Sequence, residues 1–346
     1  MKNVPLGRTD LMVSQLCLGS MTWGTQTSEA GGHAQIDASL DAGINFIDTA
    51  EAYPVNPMSK ENAGKTEAII GNWFAKSGRR ADVVLATKCA GKGNYIRDGE
   101  EISGKVIREA VEGSLARLQT DYIDLYQLHW PNRGSYMFRQ NWTYDPSGQD
   151  RATTEAHMRD VLATLKDLVA EGKLRHFGLS NESAWGTMMW LKLAEEMGAP
   201  RVESMQNEYS LLCRLYDTDM GELGHNEQVS LLAFSPLGAG YLTGKYQGGA
   251  VPDGSRKSIN AKMGGRASER VPEATQAYMD LAAKHGLDPV HMSLAWCCQR
   301  PFPTIPIFGA TDMAQLTHIL DGRDLVLSAD VMSEIDATHR ANPMPY

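Results

Sequence analysis

Ile44-Asn45-Phe46-Ile47-Asp48-Thr49-Ala50-Glu51-Ala52-Tyr53 is a short apolar run that ends abruptly in a carboxylate and, five residues on, a phenol. Ile44, Phe46 and Ile47 read as a buried strand of a parallel sheet, because the run is brief, β-prone and bounded by Gly43 and Pro54. Asp48 then stands at the carboxyl end of that strand, the place where α/β proteins put their ligand chemistry. A helix N-cap after a strand is the competing reading of the same aspartate.

Two further runs have the same form. Asp82-Val83-Val84-Leu85-Ala86-Thr87-Lys88 ends in an ammonium, and Tyr122-Ile123-Asp124-Leu125-Tyr126-Gln127-Leu128-His129 ends in an imidazole. A solvated lysine and a satisfied core histidine are the ordinary fates of such residues. Three strands ending in Asp, Lys and His, with Tyr53 close behind, point instead to one site.

Outward from these runs, strand-like and helix-like stretches alternate. Strands are expected at 15–18, 44–48, 83–88, 122–128, 174–179, 202–206, 229–234 and 304–307, followed by helices at 34–42, 66–77, 106–118, 155–171, 184–197, 216–223, 272–285 and 313–320. Eight such units fit an α/β fold closed into a (β/α)8 TIM barrel better than an open sheet. Residues 2–13 read as an N-terminal β-hairpin plugging the barrel bottom, with extra helices at 290–299 and 328–340. No linker or repeat divides residues 1–346, so a single domain is expected.

Long loops belong on the catalytic face of such a barrel. The loop 132–154 carries Tyr136, Phe138, Trp142 and Tyr144, either a wall over a substrate or a surface loop packing its own aromatics. The loop 238–271 holds eight glycines and sets Lys245, Arg256, Lys257, Lys262, Arg266 and Arg270 against Asp253 and Glu269. That is six cations minus two anions, a local +4 in a chain of net charge −9. It reads as a clasp over phosphates, with a solvated surface loop as the alternative.

Composition narrows the class. An apolar share of 42% with 22% charged residues is that of a globular protein, and the net charge of −9 argues against nucleic acid as a partner. No run approaches a membrane span, and the N-terminus lacks an apolar leader core. Cys17, Cys89, Cys213, Cys297 and Cys298 form no CxxC pair and fit a reducing cytoplasm. The nine histidines make no HExxH or similar set, so no metal is expected.

Reduction of a carbonyl builds negative charge on oxygen and calls for a proton donor and an orienting group. Tyr53 suits the donor, with Lys88 beside it to favour the phenolate, Asp48 to hold Lys88 charged, and a neutral His129 to orient the carbonyl. The order Asp48, Tyr53, Lys88, His129, with DTAxxY, TK and LHWP after successive strands, resembles the aldo-keto reductases. The likeness runs from LGRTDLMVSQLCLGSMTWG through GLSN at 178–181, FSPLGAGYLTGKY at 234–246 and IPIFGAT at 305–311. It is nearest to the bacterial Tas-type members and extends to potassium-channel β subunits.

The resemblance implies an NADPH-dependent oxidoreductase acting on a small-molecule aldehyde or ketone, and assigns the four residues the same roles. It also implies that Ser180, Asn181 and Gln206 hold the nicotinamide carboxamide and that Phe234 stacks on the ring, where relatives carry Tyr or Trp. Ser235, Leu237, Lys245 and Arg256 are then expected at the phosphates, and Gly309, Thr311 and Gln315 at the adenosine end. The family's usual Glu-Asn pair after Gln315 is replaced by His318 and Ile319. A redox-sensing or regulatory NADPH-binding protein is the alternative function, since such relatives keep the same pocket. An aldolase using Lys88 as a Schiff-base nucleophile leaves Tyr53 unexplained. Two decoys, the GxGxxxG of 238–244 and the YxxxK of 241–245, precede a basic loop rather than a crossover helix, against a Rossmann unit.

Overall fold

The computed structural model describes residues 1–346. A short antiparallel hairpin, β1 (Asn3–Pro5) and β2 (Met12–Ser14), precedes the main sheet. The chain continues through β3 (Cys17–Gly19), α1 (Glu29–Asp41), β4 (Phe46–Asp48), α2 (Lys65–Ser77), β5 (Val84–Cys89), α3 (Gly104–Leu118) and β6 (Ile123–Leu128). Next come α4 (Arg151–Ala170), β7 (Leu174–Ser180), α5 (Ala184–Met197), β8 (Val202–Glu208), α6 (Asp219–Glu227) and β9 (Ser230–Phe234). After the short α7 (Arg256–Ile259), α8 (Val271–Lys284) and α9 (Pro289–Cys298) lead to β10 (Thr304–Phe308), α10 (Met313–Asp321) and α11 (Ala329–Ala341). The strands β3 to β10 close a parallel barrel in chain order, β10 pairing back onto β3. This is the expected (β/α)8 barrel with its N-terminal hairpin.

Strand alternation sorts the side chains into two cores. Ile47, Leu85, Tyr126, Leu128, Phe177, Leu179, Met205, Leu231 and Ala233 face outward into the large core shared with the helices. Cys17, Phe46, Ala86, Leu125, Leu232, Ile305 and Ile307 fill the barrel interior, together with Leu6, Leu11 and Val13 of the hairpin. The hairpin therefore closes the bottom with apolar side chains. It is also tied there by polar bonds, Gly7 N to Ser230 Oγ at 2.9 Å and Arg8 N to Glu203 Oε2 at 2.8 Å.

Two residues further along the strands, the inward positions turn polar. Asp48 follows Phe46, Lys88 follows Ala86, and Gln127 follows Leu125, so the interior changes character within one pleat repeat. Several element bounds differ from expectation. A tight turn at Leu215–Asp217 occupies the start of the helix expected at 216–223, and α6 itself runs from Asp219. The helix expected from 155 begins at Arg151, because Asp150 caps it through a 2.7 Å bond from Thr153 N. No helix is long and apolar enough to cross a membrane.

Candidate active site

The polar layer is one connected network. Lys88 is buried, and its Nζ donates to Asp48 Oδ2 at 2.7 Å and to the carbonyl of Thr49 at 2.7 Å, with the Tyr53 hydroxyl 3.4 Å away. Asp48 Oδ1 accepts from Gln206 Nε2 at 2.8 Å and from Gln127 Nε2 at 3.3 Å. Both carboxylate oxygens are thereby engaged, which holds the lysine at one place under the phenol. The Tyr53 ring meets His129 edge-on, with centroids 5.8 Å apart. The three strand ends and Tyr53 thus converge, as their positions in the sequence led one to expect.

The charge states follow from burial and neighbours. Burial works against the Lys88 cation, but Asp48 and the Tyr53 oxygen outweigh it and leave its pKa raised. Burial pushes the Tyr53 phenol up, and Lys88 pulls it back only in part, so its pKa lies above the ordinary tyrosine value. This corrects the expectation that the lysine brings the phenol down. Tyr53 stays protonated through the neutral range, as a proton donor must. His129 is held well below the usual imidazole range, first by burial and then by the Lys88 charge, and is neutral.

The residues expected around a nicotinamide gather at the same end of the barrel. Ser180 Oγ donates to the carbonyl of Gln206 at 2.8 Å, and Asn181 Nδ2 donates to the carbonyl of His129 at 2.9 Å and to Ser180 Oγ at 3.0 Å. Asn181 has a left-handed backbone with φ of 56°, and its Oδ1 is buried without a partner. His129 Nδ1 is likewise buried and unpartnered. A free acceptor on Asn181 beside the Gln206 amide fits a carboxamide, which offers both an N–H pair and a carbonyl. Phe234 ends β9 half-buried, and Ser235 follows with φ of 54°.

The basic loop divides into tied and free cations. Arg266 is buried against Glu208 at 2.6 Å, Glu208 also binds Arg139 at 2.7 Å, and Arg270 donates to carbonyls of 343 and 344. Lys245, Arg256, Lys257 and Lys262 have no carboxylate partner. Arg256 is the telling one. Its guanidinium hydrogen-bonds to Met21 Sδ, at 3.5 Å, and to no carboxylate, and burial with Arg266 nearby pulls its pKa down to about 10. A half-buried cation with no carboxylate partner is suited to a phosphate. Leu237 precedes the 3-10 segment Gly238–Thr243, in which Ala239 and Gly240 are left-handed, so the GxGxxxG decoy forms no crossover helix.

At the far end, exposed Gly309 follows β10, and Thr311 and Gln315 belong to the cap of α10. Asp312 Oδ1 accepts Gln315 N at 2.9 Å, and its Oδ2 accepts Gln315 Nε2 at 2.8 Å. Ile319 is buried in the core, while His318 is exposed. Sequence reasoning missed Gln127, which braces Asp48, and the Arg139–Glu208–Arg266 cluster. An amide inside an apolar strand gives no signal until its neighbours are known.

The loop 132–154 does part of what was expected. Phe138 packs edge-on against Trp130 at 6.4 Å, and Trp130 lies 5.0 Å from His129. Tyr136 and Tyr144 pair with each other at 5.8 Å, and Trp142 is 63% exposed. A cavity of about 640 Å3 lies under this loop, lined by Trp130, Arg133, Tyr144, His157, Ser180 and Trp190 among others and by none of Asp48, Tyr53, Lys88 or His129.

A closed (β/α)8 barrel with a buried Asp–Lys pair at the carboxyl ends of its strands, and a tyrosine beside it, has the make-up of a barrel enzyme. The chain belongs to the aldo/keto reductase family, whose model matches residues 15–340. It is 43% identical to the protein tas of Escherichia coli over 344 residues, covering 97% of each chain. It is 32% identical to the uncharacterized oxidoreductase YrpG of Bacillus subtilis over 332 residues, covering 94% of this chain and 92% of the relative. It is 30% identical over 352 residues to a probable voltage-gated potassium channel subunit beta of Oryza sativa, covering 98% and 96%.

Proposed function

We propose that this chain is an NADPH-dependent reductase that converts a small-molecule aldehyde or ketone to its alcohol, with Tyr53 as general acid. The observation that carries the reading is the buried Lys88 ammonium, locked on Asp48 at 2.7 Å and 3.4 Å from the Tyr53 hydroxyl. Bound NADPH supplies the hydride. Tyr53 holds the proton at its hydroxyl and passes it to the carbonyl oxygen as negative charge grows there. Lys88 remains a cation throughout and stabilises the phenolate left behind. Neutral His129 donates a hydrogen bond to the same carbonyl oxygen and fixes its direction. The residues suited to hold the nucleotide are Ser180, Asn181, Gln206 and Phe234 at the nicotinamide, and Ser235, Leu237, Lys245 and Arg256 at the phosphates. Gly309, Thr311 and Gln315 are suited to the adenosine. Five unpaired cysteines support a cytoplasmic site of action.

The test is a panel of small aldehydes, ketoses and aromatic aldehydes assayed for NADPH oxidation. Turnover is expected with at least one class, and Tyr53→Phe should cost on the order of a hundredfold or more in kcat while nucleotide binding and folding persist. Retention of more than about a tenth of the rate would remove Tyr53 as the acid. Tight nucleotide binding without turnover on any carbonyl would favour a redox-sensing protein instead.

A further inference from the structure

The sequence shows no metal motif, yet the fold brings Asp288, His291 and His318 together where α9 meets α10. Their three potential ligand atoms, one from each side chain, lie within 4.8 Å of one another. Asp288 caps α9, its Oδ1 accepting the amides of Val290 at 2.8 Å and His291 at 3.1 Å. That leaves Oδ2 facing outward, 3.1 Å from Nε2 of His318.

His291 is prepared in the manner of a ligand. Its Nε2 lies 2.5 Å from the carbonyl oxygen of His318, so that nitrogen carries the hydrogen and donates it. The tautomer is thereby fixed, with a bare lone pair on Nδ1, 4.0 Å from Asp288 Oδ1. Imidazoles that bind metals usually donate their other N–H to a backbone carbonyl in this way. The ring is also wedged in place, because a Cβ at Gly322 would sit 2.1 Å from His291 Cγ. Only glycine allows the contact, and the imidazole cannot turn away into that space.

We propose that Asp288, His291 and His318 bind one divalent transition-metal ion of the zinc type, with water as fourth ligand. Two imidazole nitrogens and a carboxylate are a zinc donor set rather than one for calcium or magnesium. Tetrahedral ligands at about 2.0–2.2 Å from zinc stand roughly 3.3 Å apart, so a set now within 4.8 Å must contract by up to about 1.5 Å. His318 is 49% exposed and can swing inward without disturbing the core. The ion would link the N-terminal turn of α9 to α10, the helix whose first turn carries Gln315. His318 lies 27 positions beyond His291, which is why spacing alone hid the set.

The full-length protein, stripped with EDTA and dialysed, is titrated with ZnCl2 by calorimetry and with CoCl2 in the visible. Wild type is expected to take up one Zn2+ per chain and to melt at a higher temperature with the ion. Its Co2+ form should show tetrahedral ligand-field bands without thiolate charge transfer. His318→Ala, at an exposed position, should fold normally yet lose at least tenfold in Zn2+ affinity and lose the metal-dependent rise in Tm. His291→Ala should behave alike. Absence of stoichiometric uptake by wild type, or equal uptake by wild type and both variants, would overturn the proposal. Thiolate charge-transfer bands would also overturn it by assigning the ion to cysteine.

Discussion

At the scale of single residues, the balance at Tyr53 decides the pH behaviour. Burial raises the phenol and the Lys88 cation draws it partly back, so Lys88 sets how far above the ordinary value it stands. Removing the cation in Lys88→Met should shift the alkaline limb of kcat/KM for reduction to higher pH and slow the reaction, since the phenolate loses its partner. A limb at the same pH in both proteins would show that the two groups are not coupled. His129 gives a second, independent prediction. Its folded pKa is depressed below the unfolded value near ~6.5, so its contribution to stability is present above that pH and is lost as pH falls through it. The unfolded chain then takes up a proton that the folded one refuses. Tm should therefore drop between about pH 7.5 and 5.5 more steeply in wild type than in His129→Gln. His157, His176 and His339 are depressed too and act in both proteins, so the difference in slope isolates His129.

At the scale of elements, the loop 238–271 is held at one end and open at the other. Arg266 is anchored on Glu208, and Arg270 on the carbonyls of 343 and 344, whereas Lys245, Arg256, Lys257 and Lys262 lack acidic partners. Nucleotide should therefore order only the stretch ahead of Arg266, and trypsin cleavage after Lys245, Arg256, Lys257 and Lys262 should fall sharply when NADPH is added. Mapping the fragments by mass spectrometry checks this, and equal cutting with and without NADPH would mark a solvated surface loop. The loop's charge was legible in the sequence, but which cations were spoken for was not, because their partners come from β8 and the C-terminal segment. Helix starts were hidden for similar reasons. Gly31 and Gly32 look like a break before residue 34, yet α1 starts at Glu29 under the Ser28 cap, and Gly32 is small because the Trp23 ring lies against it. The turn at 215–217 exists because Arg214 and Arg300 seize Asp217, pairings no local pattern announces.

At the scale of the whole molecule, one end of the barrel is apolar and plugged, and the other collects the chemistry. The strand ends Asp48, Lys88 and His129 were readable only together, because each has an ordinary structural use alone while three ionisable endings on apolar runs, with Tyr53 close behind, do not arise independently. The adenosine end was harder to read, and the structure alters the terms on which NADPH and NADH compete. Asp312 is the acidic residue best placed by sequence to favour a ribose diol, yet both its oxygens are engaged in capping α10 through Gln315. Ile319 is buried, so no amide stands at that position to grip the adenine edge. Discrimination is then left to charge. Arg256, half-buried and without a carboxylate partner, and the exposed Lys245 gain more from the extra dianion of a 2′-phosphate than from a hydroxyl. NADPH should bind more tightly than NADH by about tenfold to a hundredfold, or about 1.4 to 3 kcal/mol. Quenching of tryptophan fluorescence with each nucleotide measures the ratio, and Arg256→Met should collapse it while leaving NADH affinity less affected. Should NADH bind as tightly as NADPH to the wild-type protein, the lone guanidinium is satisfied by the pyrophosphate alone, and its place beside Met21 serves both nucleotides equally.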